Sequence, residues 1–205
     1  MAIGVRLWVP DGVDSPLDAL LGATFAGLAA GRVAAMILQG VNPVTNPGDL
    51  IIVRGGVDTG MAAIGAIIAL FLLVGRRVQK MDALAPAALL GLGGWHLGCL
   101  WRGACLGTES TLPWAWAASG SDITRHPVEI YAALALVVAA FAISRLPATT
   151  LARSGAGLLF AAGIRLATEP LRLTITGGPV GWYLAGIAIG LAALVAAVVR
   201  RPRPT

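Results

Sequence analysis

Charged residues are scarce in this chain of 205 residues, where Asp, Glu, Lys and Arg make up only 12% of the sequence. A soluble domain carries about a quarter charged residues, so the composition excludes an ordinary soluble globular protein. Cysteine is nearly absent as well, and two cysteines are too few for a disulfide framework. In contrast, 57% of the residues are hydrophobic and the mean hydropathy is +0.82. We therefore predict an integral membrane protein.

Apolar stretches recur along the whole chain, and crossing a bilayer takes about 20 residues of this kind. Six candidate spans cover residues 17–39, 60–75, 82–101, 128–145, 151–171 and 179–199. The fold class predicted is all-α, a polytopic membrane bundle of about six transmembrane helices. We expect a single domain over residues 1–205: an N-terminal segment 1–15, the bundle at 17–199 and a basic tail at 200–205. The 27 glycines suit close helix packing in lipid.

Basic residues predict the orientation of these spans, because cytoplasmic loops carry an excess of Lys and Arg. They lie between spans two and three, around the turn between spans four and five, and in the tail: Arg76, Arg77, Lys80, Arg145, Arg153, Arg200, Arg201 and Arg203. If the spans alternate, all of these groups face one side, which places both termini in the cytoplasm. Since the arginines flank apolar runs and do not cluster on a soluble face, the sequence argues against a nucleic-acid partner.

Ionisable residues inside the spans are the strongest functional signal. Each costs about 2.5–3.5 kcal/mol at mid-bilayer on insertion scales, so Arg32, His96, Arg165 and Glu169 should face the bundle interior. The three basic groups lie 14 or 15 residues after the starts of their spans. At 1.5 Å per residue, this puts all three roughly 21–22 Å from the inner face, within the outer leaflet. A pocket for an anionic lipid headgroup needs basic groups at one shared depth of this kind.

Arg165, Glu169 and Arg172 follow the spacing i, i+4, i+7 and therefore share one helical face. Glu169 can pair with either arginine and leave the other for an anion, and the alternative is a purely structural ion pair. Pro170 removes a backbone donor and predicts a kink in this helix.

His96 and Cys99 also share a helical face, at i and i+3. A histidine-activated thiolate nucleophile is one interpretation, and a cysteine that only fills space is the other. A zinc site from His96, Cys99, Cys105 and His126 fits no standard ligand spacing, so we predict no metal and no other cofactor. His126 and Tyr131 alone would indicate interfacial residues.

Several motifs together resemble the prolipoprotein diacylglyceryl transferase family. They are Gly31-Arg32, Arg54-Gly55-Gly56, Asp82 with Ala85-Pro86, Gly98, Gly103 and Gly107 followed by Leu112-Pro113-Trp114, Arg125-His126-Pro127 with Tyr131, and Ile164-Arg165 with Glu169 and Arg172. Their order and spacing agree from about residue 25 onward. The resemblance implies a bacterial inner-membrane enzyme that moves the diacylglyceryl group of phosphatidylglycerol onto the lipobox cysteine of a secreted precursor. It also implies the fold of that family, here without its first span.

The resemblance and the buried cations together predict the site residues. The predicted catalytic residues are His96, Cys99, His126, Arg165 and Glu169. The predicted substrate-binding residues are Arg32, Arg102, Gly103, Gly107, Arg125, Tyr131 and Arg172. Among these, Arg165 matches an essential arginine of the family, Glu169 its acidic companion and Gly107 an important glycine.

The chain also departs from the family pattern. His96 stands in place of an arginine, Cys99 of an asparagine, and Ala104 and Ala132 of glutamates. The family's catalytic histidine has no counterpart in residues 55–60. Two hypotheses follow from these departures: a diacylglyceryl transferase with His96 or His126 as base, in which Cys99 itself could carry the group, and a catalytically altered homologue that serves as a lipid-binding or scaffold subunit.

Overall fold

The computed structural model describes residues 1–9, 15–51, 56–74, 78–100, 105–147, 151–173 and 178–200. Eight α-helices lie within these residues: α1 Ala2–Trp8, α2 Pro16–Leu38, α3 Gly48–Ile51, α4 Thr59–Leu73, α5 Val78–Leu100, α6 Val128–Ser144, α7 Ala152–Thr168 and α8 Val180–Val199. This confirms a mainly helical fold. A short antiparallel ribbon adds β1 Trp116–Ala117 and β2 Thr124–Arg125, with Trp116 opposite Arg125.

The six long helices coincide with the six apolar stretches to within a few residues. Within the described residues, α2 and α8 meet the length and hydropathy of a membrane span, and α4 and α6 are shorter apolar helices. The number of spans therefore stays a prediction. Local chemistry explains several of the helix ends: Pro16 opens α2, and the Asp58 carboxylate caps α4 by accepting a hydrogen bond from the Met61 amide at 2.8 Å.

One expectation differs in detail. Pro170 was expected to kink a continuous helix, but α7 ends at Thr168 and a 3-10 turn, Glu169–Leu171, follows it. Arg172 then adopts an extended backbone, with φ −90° and ψ 148°. The proline has no amide hydrogen to donate, so the helix stops where its hydrogen-bond ladder would be broken. Glu169 and Arg172 thus leave the helical register of Arg165.

Contacts divide the chain into two compact units. The small unit is Asp11–Met81, and the large unit joins Met1–Pro10 to Asp82–Thr205. In the small unit, α2 packs closely on α4 through small residues. A Cβ on Gly27 would lie only 2.6 Å from the carbonyl oxygen of Ala62, so a larger residue would not fit there. The prediction of a single domain stays a prediction.

The large unit has its apolar core where α5, α6 and α7 meet. Its buried cluster consists of Leu89, Leu136, Ala139, Ala140, Ile143 and Ala156. Helix α1 joins this unit, with Trp8 meeting Phe141 edge-to-face at 4.9 Å between ring centroids. Helix α8 packs on α7, where a Cβ on Gly190 would lie 2.8 Å from the carbonyl oxygen of Gly155. Small residues thus let these helices approach closely. The candidate site lies at the start of α6 and the end of α7.

Candidate functional site

A cavity of about 230 Å³ lies in the large unit, at the start of α6, around the 3-10 turn after α7 and just before α8. Four ionisable side chains border it: Glu129, Arg165, Glu169 and Arg172. Cys105, Leu106, Gly107, Val128, Leu173 and Pro179 complete its wall. Apolar surface and paired opposite charges therefore line the same space.

Arg165 reaches the cavity from the last turn of α7. Its Nη2 donates a hydrogen bond to the Tyr183 hydroxyl at 3.0 Å, and its guanidinium carbon lies 5.6 Å from the centroid of the Tyr183 ring. Tyr183 is itself buried on α8. Cation–π contact and a hydrogen bond hold the guanidinium, and since a phenol is neutral, neither contact neutralises the charge.

Arg172 is held by a different kind of partner. Its Nη1 donates to one oxygen of Glu129, and the other oxygen of Glu129 is bonded to Nδ1 of His96. Glu129 is 5% exposed and His96 4%. Because an isolated buried carboxylate is costly, its two partners account for its burial. The chain His96–Glu129–Arg172 thus runs from α5 through α6 to the segment after α7.

Glu169 has a buried carboxylate that makes no hydrogen bond to any described residue. Nε of Arg172 lies 4.0 Å from its Oε2, which is too long for a hydrogen bond. The backbone of Gly178 approaches it closely, and a Cβ at that position would overlap the carboxylate. Gly178 has φ +63°, a conformation that favours glycine. A buried acceptor that borders a cavity and accepts no hydrogen bond from a described residue is suited to a ligand's donor.

Gly107 forms part of the cavity wall through its backbone. Its amide donates to the carbonyl oxygen of His126 at 2.8 Å, and the next amide, of Thr108, donates to the carbonyl oxygen of Leu171 at 2.8 Å. A Cβ on Gly107 would overlap that same Leu171 oxygen. The loop after α5 is therefore tied both to the start of α6 and to the 3-10 turn.

Cys99 and Cys105 form a disulfide, with their Cα atoms 5.9 Å apart. The described part of α5 ends at Leu100, so Cys99 belongs to this helix and Cys105 lies in the loop after it. Neither sulfur carries a thiol in this form. The prediction that Cys99 acts as a nucleophile therefore concerns only a reduced protein, and the two sulfurs are not thiolate ligands for the zinc site weighed above.

His126, Arg125 and Tyr131 lie in and beside the loop between α5 and α6 and not at the cavity wall. His126 borders an open groove of about 640 Å³, together with Glu109, Ser110, Thr111, Leu112, Asp122, Ile123 and Thr124. Its Nδ1 lies 3.4 Å from the Tyr131 hydroxyl, which accepts a hydrogen bond from Nε1 of Trp114 at 2.8 Å. Nη1 of Arg125 donates to the Gly107 carbonyl at 3.4 Å. These residues support the loop beside the cavity.

The remaining predicted residues fall elsewhere. Arg32 is buried in the small unit, where Nε donates to the carbonyl of Asp49 at 2.8 Å and Nη1 to that of Gly56 at 2.9 Å. Arg102 and Gly103 lie outside the described residues, as do the motif residues Arg54 and Gly55, Arg76 and Arg77, and the tail 201–205.

Sequence reasoning missed two residues of the site, Glu129 and Tyr183. Glu129 carries the same signal that singled out Glu169, a carboxylate inside an apolar stretch, but it lies in the first turn of its helix. Tyr183 is one of only two tyrosines in the chain. Only its contact with Arg165, across two helices, distinguishes it from an interfacial aromatic residue.

The fold and the site together define a helix-rich protein of membrane type with a cavity bordered by arginines. Comparison of the sequence with family models agrees with this class: the model for prolipoprotein diacylglyceryl transferase matches residues 6–200, and the chain belongs to that family.

Three relatives illustrate the similarity, each named phosphatidylglycerol--prolipoprotein diacylglyceryl transferase. The protein of Methylobacillus flagellatus is 30% identical over 65% of this chain and 53% of its own length. That of Marinomonas sp. is 30% identical over 90% of this chain and 73% of its own length. That of Chlamydia trachomatis is 27% identical over 67% of this chain and 55% of its own length. The chain thus spans about half the length of most of these relatives.

The disulfide generates a direct chemical prediction. Protein purified without reductant and then denatured should react with no maleimide, whereas reduction should expose two thiols per chain, as measured by intact-protein mass. Cys105→Ser serves as the matched control and should react once without reduction, through Cys99. Two labels on the unreduced wild-type protein would show that the bond is absent.

Proposed function

We propose that this chain is a membrane transferase that moves the diacylglyceryl group of phosphatidylglycerol to a thiol acceptor, the activity for which its relatives are named. The observation that carries the proposal is the cavity of about 230 Å³ that Arg165, Arg172 and Glu169 border together, with a Glu169 carboxylate that accepts no hydrogen bond from a described residue. The arginines can bind the anionic lipid, and the carboxylate can take a proton from the thiol that receives the diacylglyceryl group.

The two arginines are assigned to the lipid phosphate. Guanidinium groups match phosphate oxygens with paired donors, and they retain their charge in an apolar environment. Arg165 is the principal site of positive charge, because its hydrogen-bond partner Tyr183 is neutral. As the bond between the glycerol carbon and the phosphate oxygen breaks, charge accumulates on the departing glycerol phosphate. Donors held in place beforehand stabilise that charge.

Glu169 is assigned as the base. The acceptor sulfur attacks the glycerol carbon, a carbon–sulfur bond forms, the carbon–oxygen bond breaks and the thiol proton passes to the carboxylate. The two histidines predicted as bases do not line the cavity, since His126 borders the open groove and His96 is bonded to Glu129, whereas Glu169 does line it. A general base must lie within hydrogen-bond reach of the proton that it removes, and this requirement comes before the type of residue.

The membrane arrangement proposed is multi-pass, in the bacterial inner membrane, with both termini in the cytoplasm. Basic residues between the helices support it, and so does the disulfide at the end of α5, because such bonds persist in the periplasm and are rare in the cytosol. The cavity then opens near the outer leaflet, where a secreted precursor with a lipobox cysteine would present its thiol. Nucleic acid has no part in this scheme.

This orientation predicts the accessibility of the two cysteines. In intact spheroplasts treated with a reductant, a membrane-impermeant maleimide should label Cys99 and Cys105 about as fully as it does in lysed cells. Labelling that appears only after lysis would reverse the orientation.

The charge of Arg165 should be required for transfer. We expect Arg165→Ala to lower the transfer of labelled diacylglyceryl to a lipobox peptide by about 100-fold or more, the usual loss for a donor that stabilises transition-state charge. Arg165→Lys should retain part of the activity, since it keeps the charge but not the planar fork. Arg145→Ala removes an exposed arginine from the same unit and should leave the rate unchanged. Wild-type transfer by folded Arg165→Ala would refute this assignment.

Glu169→Gln tests the base. The amide preserves shape but does not accept the proton, so kcat should fall by about 10²–10⁴-fold while KM for phosphatidylglycerol changes little. Asp122→Asn makes the same chemical change at an exposed loop position and should behave as wild type. An unchanged kcat in Glu169→Gln would place the base elsewhere.

A non-catalytic lipid-binding subunit is the second candidate. Two observations favour this subunit. Both cysteines are held in the disulfide, and the cavity wall contains no histidine among the described residues. Native mass spectrometry separates the two candidates: retained phosphatidylglycerol with no transfer to any thiol, from protein whose fold is intact, would support the subunit over the enzyme.

A further inference from the structure

Glu129 lies at a junction that the proposed reaction does not use. It occupies the first turn of α6, is 5% exposed, and shares its two oxygens between a histidine of α5 and an arginine beyond α7. Each oxygen has one partner from a different segment. A carboxylate placed in this way holds its partners at a defined separation and orientation.

The pairing determines the hydrogen on His96. A carboxylate paired with arginine is ionised and only accepts hydrogen bonds, so Nδ1 of His96 carries the proton in that contact. His96 is 4% exposed. Glu129 itself carries negative charge. Glu129 therefore does not attract an anion, and its effect on one must be exerted through Arg172.

Arg172 presents two of its nitrogens away from Glu129. Nη1 is bonded to Glu129, whereas Nε and Nη2 are buried and form no hydrogen bond within the described residues. Nε and Nη2 form one edge of the guanidinium plane, the edge that binds two oxygens of a phosphate side by side. Glu169 Oε2 lies 4.0 Å from Nε, which is beyond hydrogen-bond distance, so with Nη1 fixed both donors of that edge remain available to a ligand in the cavity that Arg172 borders.

We propose that Glu129 is a positioning residue for the lipid phosphate: with His96 behind it, it holds Arg172 so that the Nε–Nη2 edge meets two phosphate oxygens. The proposal rests on the proposed function and adds a second, oriented cation to the charge of Arg165. Arg165 attracts the donor lipid, and Arg172 orients its phosphate. Removing Glu129 should then impair lipid binding even though a negative charge near the anion has been lost.

The direction of the change in lipid binding distinguishes positioning from simple electrostatics. Deleting a negative charge beside an anion site should tighten anion binding if charge alone mattered, whereas loss of an oriented hydrogen-bonding edge should weaken it. Glu129→Ala should therefore raise the KM for phosphatidylglycerol about tenfold or more and leave kcat nearly unchanged. Glu129→Gln retains an oxygen that accepts from Arg172 and should stay close to wild type.

The experiment measures KM and kcat for labelled phosphatidylglycerol with a lipobox peptide, using wild type, Glu129→Ala, Glu129→Gln, Arg172→Ala and the double variant Glu129→Ala/Arg172→Ala. If Glu129 acts through Arg172, the two changes are not additive, and the double variant should match Arg172→Ala in KM. It also removes both members of the buried pair, so it supplies a folded comparison if Glu129→Ala alone unfolds. Asp122→Ala, an exposed acid of the same unit, is the matched control.

Each outcome has one meaning. A raised KM in Glu129→Ala, rescue by Glu129→Gln and no further loss on the Arg172→Ala background would support positioning. A KM equal to or below the wild-type value in Glu129→Ala, or a KM in the double variant well above that of Arg172→Ala, would overturn it while leaving the proposed function intact. If the wild-type protein neither retains phosphatidylglycerol in native mass spectrometry nor transfers from it, the proposed function fails, and this proposal fails with it.

Discussion

The polar end of the large unit depends on one buried carboxylate. Glu129 joins α5, through His96, to the segment after α7, through Arg172. Without it, Arg172 would lose the only carboxylate to which it is hydrogen-bonded among the described residues and would keep only the longer contact of 4.0 Å with Glu169. Charge and hydrogen bonds therefore join three segments beside the cavity, where the core of the unit relies on apolar packing.

The rest of the large unit is built on the opposite principle. Its core is made of alanine, leucine and isoleucine, and α7 and α8 approach until Gly155 and Gly190 meet backbone to backbone. Packing of this kind is tight and carries no polar atoms that need partners. The polar groups that border the cavity lie instead at the helix ends, where Arg165, Glu169 and the loop at Gly107 meet. A rigid apolar bundle can thus support a small polar site.

Much of the fold was predictable because long apolar stretches leave a simple signal. The six long helices follow the six apolar stretches, and an apolar run of that length favours a helix. The contribution of Pro170 was anticipated only in part, because a proline signals a break but not whether the chain bends or stops. The disulfide was not anticipated, because the path between Cys99 and Cys105 depends on where α5 ends.

The site itself was half predictable. Arg165, Glu169, Arg172 and Gly107 were singled out from the sequence, and all four border one cavity. His126 and Arg32 were also singled out from the sequence. In the structure His126 lines the open groove, and Arg32 donates hydrogen bonds to loop carbonyls of the small unit. Depth along a helix can be counted from sequence, whereas the direction in which a side chain points cannot.

The sequence by itself determined that the chain is helical, where its long helices lie and which rare ionisable groups must find partners. Composition and periodicity act locally, so they can be read without the fold. The tertiary structure alone decided the partners: Glu129 with His96 and Arg172, Tyr183 with Arg165, and Cys99 with Cys105. Most of these contacts join residues far apart in the chain, and their existence depends on helix rotation and on where each helix ends.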